Sequence, residues 1–99
     1  MKILALEQDV PGVLAEQFTA DLKKAEAACV WQLYQQGVLR ELYFRQDRPA
    51  AVLVLECVDL PAAQQTLNQL PLVQAGLIQF ELIPLAAYPG FARLFSPSG

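Results

Sequence analysis

The stretch NQLPLVQAGLIQFELIPLAAYP, from Asn68 to Pro89, combines three structural signals in immediate succession. An apolar-periodic segment ends near its start, Pro71 marks a turn, and apolar and polar side chains then alternate from Leu77 to about Leu85. Alternation with a period of two is typical of a strand that buries one face. The stretch therefore predicts the end of a helix, a turn and a strand.

The segments before this stretch predict a hairpin and the helix itself. Asp59 can cap a helix that has Pro61 near its first turn and runs to about Leu70. Upstream, residues 38–46 and 51–58 are predicted strands, and the polar turn between them contains a proline, as β-hairpin turns often do.

The first 37 residues supply the remaining elements. A short strand is predicted from Lys2 to Glu7, and Pro11 and Gly12 end it. Apolar residues then recur at helical spacing from Leu14 to Leu33, and Gly37 ends one long helix. The order β-α-β-β-α-β predicts a ferredoxin-like α+β sandwich over residues 1–87, with two helices on one face of a four-stranded antiparallel sheet.

Composition excludes several classes of protein. A chain of 99 residues fits one domain, and its 55% hydrophobic content is high for so small a core, which favours a homo-oligomer. Seven Lys and Arg residues without a cluster, at a net charge of −3, argue against nucleic-acid binding. The opening MKILALEQD is too short and too acidic for a signal peptide, and no apolar run approaches a membrane span. We expect a cytoplasmic protein that binds a small molecule, with neither nucleic acid nor membrane as a partner.

The titratable residues restrict the chemistry. Histidine is absent, and the two cysteines, Cys29 and Cys57, form no CxxC motif. A histidine base is therefore impossible, and a transition-metal site would need carboxylates alone. We expect both thiols to be buried and reduced, and we expect neither a metal nor another cofactor.

Four short segments carry a family resemblance. They are GVLRELY at residues 37–43, VDLPAA at 58–63, LNQLPL at 67–72, and the Tyr88-Pro89 pair after the last strand. From about Leu22 to Pro89 the chain resembles the muconolactone δ-isomerase family and, more loosely, the YCII-related proteins. The resemblance implies a dimeric α+β barrel, in which two sheets face each other, and a small-molecule isomerase activity.

The resemblance also implies a set of catalytic residues. Lys23, Glu26 and Arg40 match polar positions of the family, which has a histidine where this chain has Glu41. Moving a double bond in a lactone requires a base, an acid, and a group that stabilises the enolate oxygen. Without histidine the base must be a carboxylate, so Glu26 and Arg40 are the catalytic candidates, and Tyr43 is expected to shape the pocket.

Helix and strand geometry separates these candidates. Glu26 lies about 60° from the centre of the apolar stripe and can reach a pocket, whereas Lys23, at about 120°, is expected not to. Arg40 shares a strand face with Leu42 and Phe44 and can point beneath the helices. Glu26 and Arg40 are therefore expected either to share a catalytic pocket or to form a plain structural ion pair.

The other face of the sheet offers a rival site. Period-two alternation places five polar or aromatic side chains there: Glu41, Tyr43, Arg45, Glu56 and Glu81. If two sheets face each other, these side chains surround a partly enclosed space and can bind substrate, and like charges there would raise carboxyl pKa values. The alternative is the solvated side of a half-exposed sheet.

Two apolar features point to contacts between subunits. Trp31 lies about 160° from the apolar stripe, so it is expected to contact another subunit, the chain's own tail or solvent. The tail, residues 88–99, carries Tyr88, Phe91, Leu94 and Phe95. We predict that it docks on a neighbouring subunit and helps to roof its pocket, with packing on its own subunit as the alternative.

Two functions remain open at this point. The first is a muconolactone-isomerase-like enzyme that transfers a proton within a small lactone or carboxylated compound. The second is a non-catalytic oligomeric binding or accessory protein on the same scaffold, because a fold alone does not determine an activity.

Overall fold

A computed structural model describes residues 1–97 of the chain. The strands are β1 (Lys2–Asp9), β2 (Leu39–Phe44), β3 (Ala51–Glu56) and β4 (Ile78–Pro84), and the helices are α1 (Ala20–Gln35), α2 (Leu60–Leu67) and α3 (Pro71–Gln74). The four strands form one antiparallel sheet in the order β2-β3-β1-β4. The predicted ferredoxin-like α+β fold is confirmed.

The first helix is shorter than predicted. A 3-10 turn at Ala15–Gln17 comes before it, and α1 begins only after Thr19, whose hydroxyl oxygen accepts the N–H of Leu22 at 3.2 Å. A threonine cap satisfies an amide that has no partner within the helix, so it fixes the start of α1. The apolar spacing continues across this break, which is why periodicity alone predicted a single helix.

The second helix is also divided. Asp59 caps α2, as predicted, by accepting the N–H of Ala62 at 2.8 Å, but α2 ends at Leu67. Leu70 has an extended backbone, as expected before a proline, and Pro71 then opens the short helix α3. The amides of the first turn of α3 are therefore available to side chains from elsewhere in the fold.

The helices cover one face of the sheet, which we call the helix face. Its buried core joins Leu33 of α1 and Leu67 of α2 to strand residues such as Ile3 and Leu55, which are paired with each other. The opposite face, the open face, has a partly buried apolar centre made of Leu4, Leu6, Val52, Val54 and Ile83.

The edge strand β2 contains an irregularity at Arg40. Leu39 pairs with Leu55 and Glu41 with Val54, so Arg40 has no partner of its own. An extra residue of this kind bends a strand and redirects its side chains. Leu39 and Leu42 both pair with buried residues of the helix face, Leu55 and Leu53, so the regular alternation predicted through Arg40 was wrong.

The tail leaves the body of the domain. After β4 it forms a 3-10 turn at Gly90–Leu94, and Tyr88, Phe91, Leu94 and Phe95 are 67% to 84% exposed. The molecule measures 60 × 29 × 22 Å, elongated for a chain of 99 residues. Within residues 1–97, no helix is long and apolar enough to cross a membrane.

Candidate functional site

A cavity of about 810 Å³ lies between α1 and the helix face of the sheet. We call it the carboxylate cavity, because Glu7 and Glu26 both line it. Most of its other walls are apolar: Phe18, Val30, Leu42, Phe44, Leu53, Leu70, Leu72, Ile78 and Phe80. An apolar cavity of this size with a few polar groups is typical of small-molecule sites.

Glu26 projects from α1 into this cavity and is held by the backbone of α3. Its Oε1 accepts the N–H of Leu72 at 3.0 Å, one of the first-turn amides that has no partner within α3. Burial raises the pKa of the Glu26 carboxyl, the hydrogen bond from Leu72 opposes this, and repulsion from Glu7 raises the pKa further. The net shift is upward, which favours the protonated form of Glu26 compared with an exposed glutamate.

Glu7 lines the same cavity from β1 and was not among the predicted site residues. The pairing of β1 with β3 ends at Leu6 and Val52, and beyond it the Glu7 Oε1 accepts the N–H of Ala51 at 3.0 Å. Burial raises the pKa of Glu7 above the ordinary glutamate value, and Asp9 adds to the effect while Arg48 opposes it. The signal was present in the sequence, because Glu7 follows Ile3 and Ala5 at a period of two on the buried face.

Charged residues also lie at the edge of the carboxylate cavity. Lys23 and Asp9 line it, and both side chains are exposed. The prediction that Lys23 cannot reach the pocket was wrong, because α1 begins at Ala20 and its first turn borders the cavity. Asp9 is engaged with Arg48, at 3.5 Å between Oδ2 and the guanidinium.

Arg40 lines a different depression, beside the edge strand β2. This aromatic cleft, as we call it, has a volume of about 590 Å³ and is lined by Ala27, Val30, Trp31, Tyr34, Arg40, Glu41, Leu42 and Tyr43. The rings of Trp31 and Tyr34 lie 6.1 Å apart, and Trp31 is turned outward, 58% exposed, as the helix geometry predicted.

The structure does not bring Glu26 and Arg40 together. The Nε of Arg40 donates to the carbonyl oxygen of Gly37, just past the end of α1, whereas Glu26 is bonded to Leu72. Among residues 1–97 neither side chain takes part in a salt bridge, so the predicted ion pair does not form. The two cavities nevertheless adjoin, since Ala27, Val30, Leu42 and Tyr43 line both.

The predicted open-face residues are dispersed along the sheet. Glu41 and Tyr43 lie on the edge strand β2 and bond to each other at 2.9 Å, which raises the pKa of the tyrosine. Glu81 lies on the opposite edge strand, β4, and accepts a hydrogen bond from Gln8 at 3.3 Å. Glu56 Oε2 lies 2.7 Å from the amino group of Met1, whose hydrogen bond lowers the pKa of Glu56.

These open-face groups do not form a single pocket within one subunit. β2 and β4 are at opposite edges of the sheet, so their side chains cannot converge on one ligand without a second surface. Arg45, the fifth predicted member, is bound to Asp47 in the hairpin turn. Among residues 1–97 no group of three or more Cys, Asp or Glu side chains is arranged to hold a metal ion.

Comparisons with known proteins agree on one family and one fold. The family model described as muconolactone delta-isomerase matches residues 3–90. A crystal structure of muconolactone isomerase superposes with a TM-score of 0.70 at 24% identity, covering 90% of this chain and 92% of that one.

A second solved structure shares the fold and is an enzyme named for a different reaction. It is 5-chloro-2-hydroxyhydroquinone dehydrochlorinase from Burkholderia phenoliruptrix AC1100 in complex with 2,5-dihydroxybenzoquinone, with a TM-score of 0.69 at 17% identity, covering 91% of this chain and 98% of that one. No curated protein sequence matches the chain. At these identities the structural likeness establishes the fold, and the family match over residues 3–90 establishes the relationship: the chain belongs to the muconolactone delta-isomerase family.

Proposed function

We propose that this protein is a small-molecule enzyme that moves a proton within a lactone or a related carboxylated compound. The observation that carries the proposal is Glu26, a partly buried carboxyl whose pKa is raised by burial and which lines a cavity large enough for such a substrate. Family membership supports the same class of reaction.

The proposed step is a proton shift along an activated carbon chain. Glu26 removes a proton from a carbon made acidic by the lactone carbonyl, and the electron pair of that C–H bond delocalises into an enolate. A proton returned to the far end of the conjugated system moves the double bond. The hydrogen bond from Leu72 fixes the Glu26 carboxyl, so the catalytic group does not need to be ordered during the reaction.

Cationic and aromatic groups around the cavity have proposed binding roles. Lys23 lines the carboxylate cavity and can stabilise a developing enolate oxygen or a substrate carboxylate. Arg40 and Tyr43 line the adjoining aromatic cleft, and we assign them to the end of the substrate that extends from the cavity. Arg40 then acts by charge and not through contact with Glu26.

We further propose that the protein works as a homo-oligomer built on the open face. The partly buried apolar centre of that face suits a second sheet, as in a dimeric α+β barrel. Glu41, Glu56 and Glu81 contact substrate in this proposal only where a second subunit closes over them.

The test is turnover of muconolactone in D₂O, followed by ¹H NMR. We expect the wild-type protein to move the double bond, Glu26→Gln to reduce kcat by 100-fold or more, and Arg40→Ala to raise KM by about tenfold with a smaller effect on kcat. Glu16→Gln, at an exposed glutamate outside both cavities, is the matched control and should retain activity. Equal kcat in wild type and Glu26→Gln would contradict the role of Glu26.

Two features near Arg40 favour a second function. Glu41 stands where the resemblance implies a histidine, and the Nε of Arg40 donates to the carbonyl oxygen of Gly37. A non-catalytic binding protein would retain the cavity without the chemistry. Lactone-induced chemical shifts in the absence of any turnover would support this alternative.

A further inference from the structure

We propose that Glu7 and Glu26 form one coupled carboxyl pair, in which Glu7 is a second proton-transfer group facing Glu26 across the carboxylate cavity. The catalytic part of this inference rests on the proposed function, whereas the pairing itself does not. Nothing in the family match or the resemblance assigns a role to Glu7.

The two carboxyls lie on different elements and are held by equivalent hydrogen bonds. Glu7 comes from β1 in the sheet and Glu26 from α1 above it, and both line the same cavity. Each uses Oε1 to accept one backbone N–H at 3.0 Å, from Ala51 and from Leu72. Neither Oε2 accepts a hydrogen bond from residues 1–97, so each carboxyl has an oxygen available for a proton or a substrate.

The charges around Glu7 and Glu26 favour a state in which the two carboxyls share one proton. Lys23 is the single cation that lines the cavity within the described part of the chain, and Asp9 adds a third carboxylate. Arg48, from the hairpin turn, acts on Glu7 but is also engaged with Asp9. Two partly buried carboxylates that repel each other lower their energy when one is protonated, and they then titrate as a pair. After burial, repulsion from Glu7 is one cause of the raised pKa of Glu26. The raised pKa of Glu7 is caused by burial and by repulsion from Asp9.

A pair that holds one proton contains both the base and the acid that a proton shift requires. The ionised carboxylate takes a proton from the acidified carbon, breaking the C–H bond and leaving the electron pair in the enolate. The protonated partner gives its proton to the far carbon and becomes the carboxylate. The proton count and charge of the pair are unchanged, and proton exchange between the two carboxyls restores the starting state.

The pairing is tested without substrate by ¹³C NMR titration of the glutamate side-chain carboxyls. In Glu7→Gln the titration midpoint of Glu26 should fall, and in Glu26→Gln that of Glu7 should fall, because each change removes a like charge. Glu16→Gln should move neither midpoint. Glutamine keeps an oxygen for the amide of Ala51 or Leu72, so both variants should fold, which circular dichroism checks. If the titration midpoint of each carboxyl is the same in the wild type and in the variant of its partner, the proposed pair is overturned.

The catalytic role is tested by kinetics on muconolactone. Glu7→Gln should lower kcat by about tenfold or more, change KM little, and remove one limb of the pH–rate profile, while Glu7→Asp should restore part of kcat. A Glu7→Gln enzyme with wild-type kcat and an unchanged pH profile would overturn the role of Glu7 in transfer. Coupled midpoints in a protein that turns over no lactone would leave the pair standing and would refute the proposed isomerase function.

Discussion

The carboxylate cavity and the aromatic cleft adjoin each other, yet their polar groups are held in different ways. In the cavity, Glu7 and Glu26 are partly buried and each is fixed by a backbone amide from another element. In the cleft, Glu41 and Tyr43 are exposed and bond to each other. Burial makes protonation states responsive to their surroundings, whereas exposed charges are screened by solvent. The cavity is therefore suited to proton transfer, and the cleft to contact with a ligand or another chain.

Removing the tail should have the largest effect of the predicted changes, and it tests whether the region around the cleft contacts another chain. Its four exposed apolar side chains, from Tyr88 to Phe95, would each gain about 1.5 to 3 kcal/mol on full burial, so a partner surface should hold them strongly. A chain truncated after Ala87 should form smaller oligomers by light scattering. The emission of Trp31 should also shift to the red in the truncated chain if the docked tail covers the cleft.

An unchanged mass and unchanged emission after truncation would show that the tail does not contribute to assembly. Phe91→Ser with Phe95→Ser in the full-length chain is a useful control, since it removes apolar surface without shortening the chain. The same loss of mass is expected from it.

At acidic to neutral pH, stability should respond through the cavity carboxyls, because Tyr43 in the cleft titrates only at alkaline pH. Folding raises the pKa values of Glu7 and Glu26 above the ordinary glutamate value of 4.5. Well below that value both carboxyls are neutral in the folded and the unfolded chain, and as pH rises through the raised values the folded state becomes less stable because ionising them there costs more free energy. Glu26→Gln should therefore increase the Tm relative to wild type above this window, on the order of a few degrees, and the gain should vanish at lower pH. A Tm difference independent of pH would contradict the raised pKa.

A smaller effect is expected at Cys29, one helical turn beyond Glu26. Burial raises the pKa of the Cys29 thiol, and repulsion from Glu26 adds to this. Its Sγ also lies 3.7 Å from the carbonyl oxygen of Gln69. Glu26→Gln should therefore speed alkylation of Cys29 by iodoacetamide at pH 8 by about twofold, as the thiolate fraction rises. Alkylation at an unchanged rate would show that Glu26 is not charged next to the thiol.

Local sequence signals predicted the elements better than they predicted the site. The Asp59 cap, the Pro71 turn and the alternation of β4 depend on neighbouring residues, so they are visible in the sequence. The Thr19 cap was equally local, but the continuous apolar spacing concealed it.

The site depended on contacts between distant segments. The position of Arg40 follows from an irregularity in β2 that no residue pattern marks. Glu26 could be placed from the helix stripe, but its partner, the amide of Leu72, lies 46 residues away and is free only because α3 begins at Pro71. Period-two alternation places Glu7 on the buried face, but only the packing of α1 over the sheet brings it into the same cavity as Glu26.

The location of ligand binding can be measured directly by ¹H–¹⁵N NMR with muconolactone added to the uniformly labelled protein. We predict that the amides of Ala51 and Leu72, which bond to the two cavity carboxyls, shift in a saturable way. The amides of Gln79 and Glu81 on β4 should shift less. Saturable shifts confined to the open face, with Ala51 and Leu72 unmoved, would contradict the carboxylate cavity as the functional site.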